Sequence, residues 1–382
     1  MLKAAFITPG AYPIPSTMGG SVERVVEKVV PKLLPYADAR IYGRLGKRLP
    51  SRGSINGVQT ERFPAVYKTR YLNRVCVRLK HFQPQIIQVE NRPLWIPRLK
   101  RAFPHRRIGL NLHSTTFICK PYMNKLQRRR CLQAADYIQV NSEYLQAYLK
   151  EHIPQVAEKI IVNHLGVDVD RFPVRASLES RSMREQLRAV KGWGDRPIVL
   201  YVGRLVPQKG VHHLISTITA LKSIAPNVLV VIVGSAMYGS HRQTGYVRRL
   251  YKQAERWKKH VYFQPYVSHD QIPRWFATAD IAVVPSVGKE AFGLVNLEAM
   301  AAELPIVATK AGGIKEIVED GLTGFLVAPQ VPFIVAELTS RLCYLLANPD
   351  VRKVMGSKGR ERVMNYFLWE HTANRWLDFQ RE

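Results

Sequence analysis

A chain of 382 residues, 46% hydrophobic and 23% charged, is long enough for two domains of ordinary size, each with its own core, and has the balance of a soluble globular protein. No apolar run approaches the ~18 residues of a membrane span, no hydrophobic leader follows Met1, and Cys76, Cys119, Cys131 and Cys343 form no C-x-x-C pair, so a spanning segment, a disulfide scaffold and a cysteine metal site are all disfavoured. The net charge of +28 is concentrated, residues 44–130 holding 21 Lys and Arg against only Glu61 and Glu90, which points to an anionic partner there.

In chain order, a strand at Lys3–Ile7 leads into TPGAYPIPSTMGG, ending at Gly19-Gly20. Ser21 is placed to cap a helix over Val22–Leu34, with Glu23 and Glu27 in its first turns as the helix dipole favours. Paired glycines at a helix start permit either a plain tight turn or close backbone approach to a ligand. Residues 38–66, basic and rich in Gly and Pro, read as hairpins and loops. Val66–Phe82 reads as an amphipathic helix, apolar at Leu72, Val75, Leu79 and Phe82, with Arg70, Arg74 and Arg78 recurring on another face. That face is either solvated or suited to an anionic membrane surface. Strand Ile86–Glu90 and the segment NRPLWIPRLKRAFPHRR precede strand Ile108–Leu112, which delivers His113 at its carboxyl end, the edge where open α/β sheets bind ligands. The basic cluster Arg128–Arg130, strand Tyr137–Val140, a helix opened by Asn141-Ser142 and strand Ile160–Asn163 complete this half.

Residues 173–196 are polar and charged, suiting a connection that ends in a helix. Strand Ile198–Val202 then runs into GRLVPQKG, where Gly203 and Gly210 permit the turn and Arg204 and Lys209 can neutralise a diphosphate. This loop is neither a Walker A loop nor G-x-G-x-x-G. Helix Val211–Ile224, strands Val228–Val233 and Val261–Gln264, and a helix near Gln271–Ala277 continue the alternation. Strand Ile281–Pro285 enters a loop carrying Gly288, Glu290 and Gly293, followed by a helix at about Leu294–Ala302 carrying Glu298, and strand Pro305–Ala308. Backbone N–H groups near Phe292, Gly293 and Leu294, at a helix start, suit phosphate. Carboxylates on either side suit the hydroxyls of a sugar or ribose. Gly312-Gly313, strand Phe325–Ala328 and a last helix at about Tyr366–Gln380, with Trp369 and Trp376 on its stripe, finish the chain. The alternation throughout predicts an α/β fold built of two β/α halves.

The run PSVGKEAFGLVNLEAMAAELPIVAT, with GRLVPQKG upstream, HLGVDVDRF between the halves and Gly312-Gly313 before Ile314–Glu319, resembles the signature of the retaining family 4 glycosyltransferases. The resemblance covers nearly the whole chain, most specifically residues 198–330, and departs at Glu303, where the family usually has Gly. It implies two Rossmann-like domains facing a cleft, the GT-B fold: residues 1–170 on the acceptor side, 171–196 as connection, 197–364 binding the nucleotide sugar, and 365–382 as a helix crossing back to the first domain. The implied reaction moves a sugar from a nucleoside-diphosphate donor, with UDP as the expected carrier, to a hydroxyl of a glycan, lipid or coat component, with no further cofactor and no metal. By the same resemblance Arg204, Lys209 and the backbone of Gly203, Phe292, Gly293 and Leu294 hold the diphosphate. Glu298 holds the ribose and Glu290 the sugar hydroxyls, Gly19 and Gly20 lie beside donor phosphate and acceptor, and His113 lies close to the transferred sugar. His113, Glu290, Arg204 and Lys209 are the expected catalytic set.

NRPLWIPRLK is similar to spore-coat-associated members of that family, and the scattered cysteines read as reduced thiols, so the expectation is a cytoplasmic protein, peripheral on the inner membrane face or associated with a spore coat. The rival class is a polyanion- or nucleic-acid-binding protein, or a coat scaffold, on the same fold. The basic segment lacks an aromatic-stacking or helix-turn-helix pattern, which disfavours nucleic acid. Peripheral contact of residues 44–130 with an anionic membrane or coat polymer is compatible with the enzyme reading.

Overall fold

The computed structural model describes every residue except Thr17, Met18, Tyr238, Ser240, His241, Arg242, Lys289 and Glu382. Two positions in the first glycine loop and the residue before Glu290 thus lie outside the described residues. The chain forms two compact units: Met1–Leu165 together with Trp369–Glu382, and Gly166–Leu368.

In the first unit β1 (Leu2–Ile7), β2 (Ala37–Arg44), β3 (Arg52–Ile55), β4 (Val58–Phe63), β5 (Ile86–Glu90), β6 (Arg107–Leu112), β7 (Tyr137–Val140) and β8 (Ile160–Val162) make one sheet. Its order is β3-β4-β2-β1-β5-β6-β7-β8, parallel except for the antiparallel pair β3–β4. β5 is buried along its whole length, as a parallel strand with both faces covered must be. The order reverses between β1 and β5, so the loops after these strands flank the crevice where such sheets take ligands.

The helix Trp369–Arg381 belongs to this unit. Trp376 packs on Phe6 with ring centroids 5.3 Å apart, and its Nε1 donates to Gln88 Oε1 at 2.6 Å. Asn163 Nδ2 donates to the Thr372 carbonyl and Arg375 to that of His164.

The second unit holds β9 (Ile198–Val202), β10 (Leu229–Val233), β11 (Val261–Gln264), β12 (Ile281–Val284), β13 (Ile306–Thr309) and β14 (Gly324–Val327), all parallel, in the order β11-β10-β9-β12-β13-β14. Here the reversal falls between β9 and β12. The segment 171–196, expected as a connection, is packed into this unit. Arg175, Arg184 and Arg188 converge on the Asp280 carboxylate at 2.8, 2.9 and 3.1 Å, and Asp280 also accepts the Ile198 N–H at 2.8 Å. Burial alone would raise this carboxyl, but Arg184, Arg175, the Ile198 amide and Arg188 together hold it below the ordinary aspartate value.

Several local expectations change. The first helix begins at Ser21 with Gly20 as its N-cap (φ 111°), so Ser21 does not cap it, and it tightens into a 3-10 turn at Val30–Leu33, where Pro31 removes a donor. Residues 38–66 contain β2 as a parallel strand and a hairpin, β3–β4, closed by Asn56-Gly57, both at positive φ. The predicted helix Val211–Ile224 breaks at Thr217, whose Oγ1 turns back to the Leu214 carbonyl at 2.8 Å. Glu303 adopts left-handed backbone (φ 56°) where a glycine would be unstrained, and its side chain accepts the Arg175 N–H at 2.8 Å. Among the described residues no helix is long and apolar enough to cross a membrane.

Candidate functional site

In the second unit the two loops at the β9/β12 reversal are stitched together by backbone. Val287 and Gly288 N–H groups donate to the Gln208 carbonyl at 2.9 and 3.2 Å. Gly210 (φ 68°) lies so close to β12 that a Cβ would sit 1.9 Å from the Pro285 carbonyl, so no other residue fits there. Gly203 donates its N–H to Val233 at 3.0 Å and Arg204 accepts at its carbonyl the Tyr201 hydroxyl at 2.8 Å, holding the start of the loop on β9 and β10. The stitching brings Lys209 into an ion pair with Glu290, whose Oε2 also accepts the Ser286 hydroxyl at 3.3 Å.

Glu290 is fixed from behind as well. Gly313 N–H donates to its carbonyl at 3.0 Å, and Gly312 (φ 58°) passes so close that a Cβ would fall 1.8 Å from that oxygen. The glycine pair, read from sequence only as part of a motif, is thus the seat of Glu290. Gly293 is the N-cap of the helix Leu294–Ala301, with no side-chain cap, so its first amides point at the loop uncovered by a capping side chain. Phe292 is 2% exposed, its ring packed near Phe367, so only its backbone faces the loop.

Glu298 has a different partner from Glu290. Its Oε1 lies 2.8 Å from His269 Nε2, and His269 Nδ1 lies 2.5 Å from Arg171 Nη1 while Arg171 Nη2 donates to the His269 carbonyl at 2.8 Å. His269 carries no motif signal in the sequence, and Arg171 lies in HLGVDVDRF without standing out there as a site residue.

In the first unit His113 projects from the tip of β6, and its Nε2 lies 2.8 Å from Glu90 Oε2 at the tip of β5. Glu90 is 1% exposed; its other oxygen accepts Gln88 Nε2 at 2.8 Å, and Asn141 Nδ2 holds the His113 carbonyl at 3.3 Å. Gly19 and Gly20 both take positive φ, at 110° and 111°. Beneath them Glu23 and Glu27 do more than face a dipole: they accept the backbone N–H groups of Tyr12 (3.3 Å) and Ser16 (2.6 Å), shaping the glycine loop. Burial raises both carboxyls above their ordinary value. Among the described residues no three His, Cys, Asp or Glu side chains converge as a metal-ligand set.

Of the basic row predicted on the second helix, Arg70 and Arg74 are exposed on Lys68–Phe82, whereas Arg78 is turned onto Glu61 at 2.8 Å.

Two α/β units, each with a glycine loop at its strand reversal, are the architecture of the GT-B fold. Solved structures share the fold: sucrose-phosphate synthase from Thermosynechococcus elongatus (TM-score 0.79, 22% identity, 100% of this chain and 98% of that one) and Anabaena HepE in complex with UDP (TM-score 0.79, 23% identity, 100% of both chains). The glycosyl transferases group 1 family matches residues 183–362, and Glycosyltransferase Family 4 matches residues 37–171. The chain belongs to this family of glycosyltransferases. Spore coat protein SA of Bacillus subtilis is 28% identical over 377 residues, 98% of each chain. A GDP-mannose-dependent phosphatidylinositol monomannoside mannosyltransferase of Mycolicibacterium smegmatis is 32% identical over 252 residues, 63% of this chain and 61% of that one.

Proposed function

We propose that this glycosyltransferase moves a hexose, with retention of anomeric configuration, from a nucleoside-diphosphate sugar to a hydroxyl of a glycan, lipid or coat component. The observation that carries the reading is the meeting of Lys209 and Glu290 at the β9/β12 reversal, between two glycine loops and an uncapped helix start. Departure of the leaving group places charge on the diphosphate, and cations and N–H groups aimed there stabilise the transition state more than the ground state. Arg204 and Lys209 take that charge in place of a divalent cation. Lys209 therefore exchanges its pairing with Glu290 for the diphosphate as donor binds, which releases Glu290 to accept the sugar hydroxyls. Glu298 holds the ribose. His113, held by Glu90, and the Gly19-Gly20 loop serve the acceptor side, so residues 1–170 and 197–364 divide acceptor and donor duties. Retention here is same-face attack with the leaving phosphate as base; Glu290 and Glu298 are not a glycosidase pair.

Anabaena HepE is described with UDP, and UDP is the carrier we propose. Thermal stabilisation by UDP, GDP and ADP tests this, because a ligand bound only to the native state at a hundredfold excess over Kd adds about 2.7 kcal/mol. A selective shift with UDP, lost in Lys209→Ala, is expected; a shift with GDP alone moves the carrier, and none with any nucleotide overturns the donor site.

A second reading concerns where the enzyme works. Arg70, Arg74 and Lys80 on the helix Lys68–Phe82, and Lys125, Arg129 and Arg130 on Lys125–Gln133, are exposed, as are the apolar Val66, Tyr67 and Leu126. Cations interleaved with apolar side chains suit an anionic lipid surface. Binding to phosphatidylglycerol vesicles at low salt, lost steeply at moderate salt, is the expected result; no binding at low salt overturns it.

A further inference from the structure

His269 stands in a 3-10 turn after β11, and Arg171 in another at Val169–Arg171, 98 residues earlier. His269 ends on Glu298, and Arg171, from the HLGVDVDRF segment, ends on His269. Their chemistry admits one arrangement of protons. A guanidinium has only donors, so the 2.5 Å contact from Arg171 Nη1 requires a lone pair on His269 Nδ1. The ring is then neutral with its proton on Nε2, and that N–H donates to Glu298 Oε1 at 2.8 Å. Arg171 is itself held in place because its other nitrogen donates to the His269 carbonyl at 2.8 Å. Its further contact with Asp270, 3.3 Å away and 94% exposed, adds little. The three side chains are only 13–21% exposed, so water competes weakly for these bonds.

We infer that His269 is a positioning residue for Glu298, with Arg171 selecting its tautomer, and that the pair sets how strongly the enzyme distinguishes a ribonucleotide from a nucleotide lacking ribose hydroxyls. The inference rests on the reading of Glu298 as the ribose-holding carboxylate. A glutamate on a helix has three rotatable bonds to order before it can accept two hydroxyls. A fixed N–H on one oxygen selects its rotamer before the ligand arrives, so less affinity is lost to ordering at binding. An N–H on one side also leaves the carboxylate charged and acceptor-only, as two hydroxyl donors require. A neutral imidazole does this without cancelling the negative charge. That is the use of the arginine: a nearby cation that keeps the ring from turning its own N–H toward the far side.

The test compares binding of UDP and 2′,3′-dideoxy-UDP by calorimetry to the wild type, His269→Ala, His269→Gln and Arg171→Ala, with thermal melts to establish folding. The wild type is expected to prefer UDP by about tenfold or more, since hydrogen bonds to a charged group are the strong ones. His269→Ala should reduce the preference to about threefold or less, chiefly by weakening UDP. His269→Gln, whose amide N–H can reach the place of Nε2, should restore most of it. Arg171→Ala, which frees the tautomer, should fall between. An undiminished preference in both His269→Ala and Arg171→Ala overturns the inference and leaves the ribose reading intact. Equal binding of the two nucleotides by the wild type overturns the ribose reading itself, and the inference with it.

Discussion

Trp376 donates its indole N–H to Gln88 Oε1 at 2.6 Å, from a helix 288 residues further along the chain. Gln88 sits in the middle of β5, accepts the Tyr137 hydroxyl on the same oxygen at 3.1 Å, and passes its amide N–H to Glu90, which holds His113. An unbroken polar thread therefore runs inside the first unit, from the indole of the final helix to the histidine at the tip of β6.

Trp376→Phe keeps most of the apolar packing on Phe6 and removes only the donor. The buried Gln88 oxygen is then left with Tyr137 alone, and the variant should lose about 1–3 kcal/mol of stability, read from urea unfolding. A change in His113 resonance or in turnover beyond what global stability explains would show that the thread reaches the strand tip.

Asp280 carries three guanidiniums, and Arg188 is only 6% exposed at its side chain. Asp280→Asn removes the anion and leaves buried cations facing one another. A loss of about 3–5 kcal/mol is expected from denaturant unfolding, whereas Arg184→Ala alone, on a more exposed partner, should cost much less.

Gly312→Ala should mimic damage to Glu290 without touching its side chain, because the new methyl strikes the Glu290 carbonyl. Turnover should fall by about 10²-fold, as for Lys209→Ala or Glu290→Ala. Gly321→Ala is the control: its φ is 81°, but nothing lies within 4 Å of the new Cβ. That variant should show only a backbone penalty of about 1 kcal/mol and keep its activity.

His213, buried in the helix that follows Gly210 and beside His212, has its imidazole pushed down to about 4, by burial first and then by the charge of His212. The unfolded chain takes up this proton near the ordinary value of 6.5, whereas the folded chain resists it. Its contribution is therefore complete above pH 6.5 and is lost as pH falls toward and through about 4. His213→Asn should flatten the dependence of Tm on pH in this window, whatever it does to Tm at neutral pH.

Much of the fold is legible in the sequence because parallel strands covered on both faces are short unbroken apolar runs, such as Ile198–Val202 and Ile281–Pro285, and punctuation by glycine is dense where loops meet. β2 is harder: ADARIYGR alternates like an exposed strand and sits in a basic stretch, so only its pairing with β1 reveals it. The Asn56-Gly57 turn is a readable hairpin signal inside that same stretch. The candidate residues in glycine motifs can be found from spacing, but their supports cannot. Glu90 meets His113 because β5 and β6 are neighbours in register, Glu90 opposite Asn111. His269, Arg171 and Glu298 are joined from three distant segments whose convergence only the tertiary fold supplies. Ser21 fails as a cap because Gly20, in left-handed backbone, already ends the loop.

The division of the chain has a consequence for its synthesis. Gly166–Leu368 is continuous and can complete its sheet as it leaves the ribosome, in the usual order of domain folding. The first unit can pair its strands, all within Leu2–Val162, but cannot finish covering them, because Phe6 and Gln88 wait for Trp376 until Trp369–Arg381 has been made. The part of the protein translated first is thus the last to be finished, and a nascent chain arrested anywhere before the final helix presents an open apolar seam that a chaperone would have to cover.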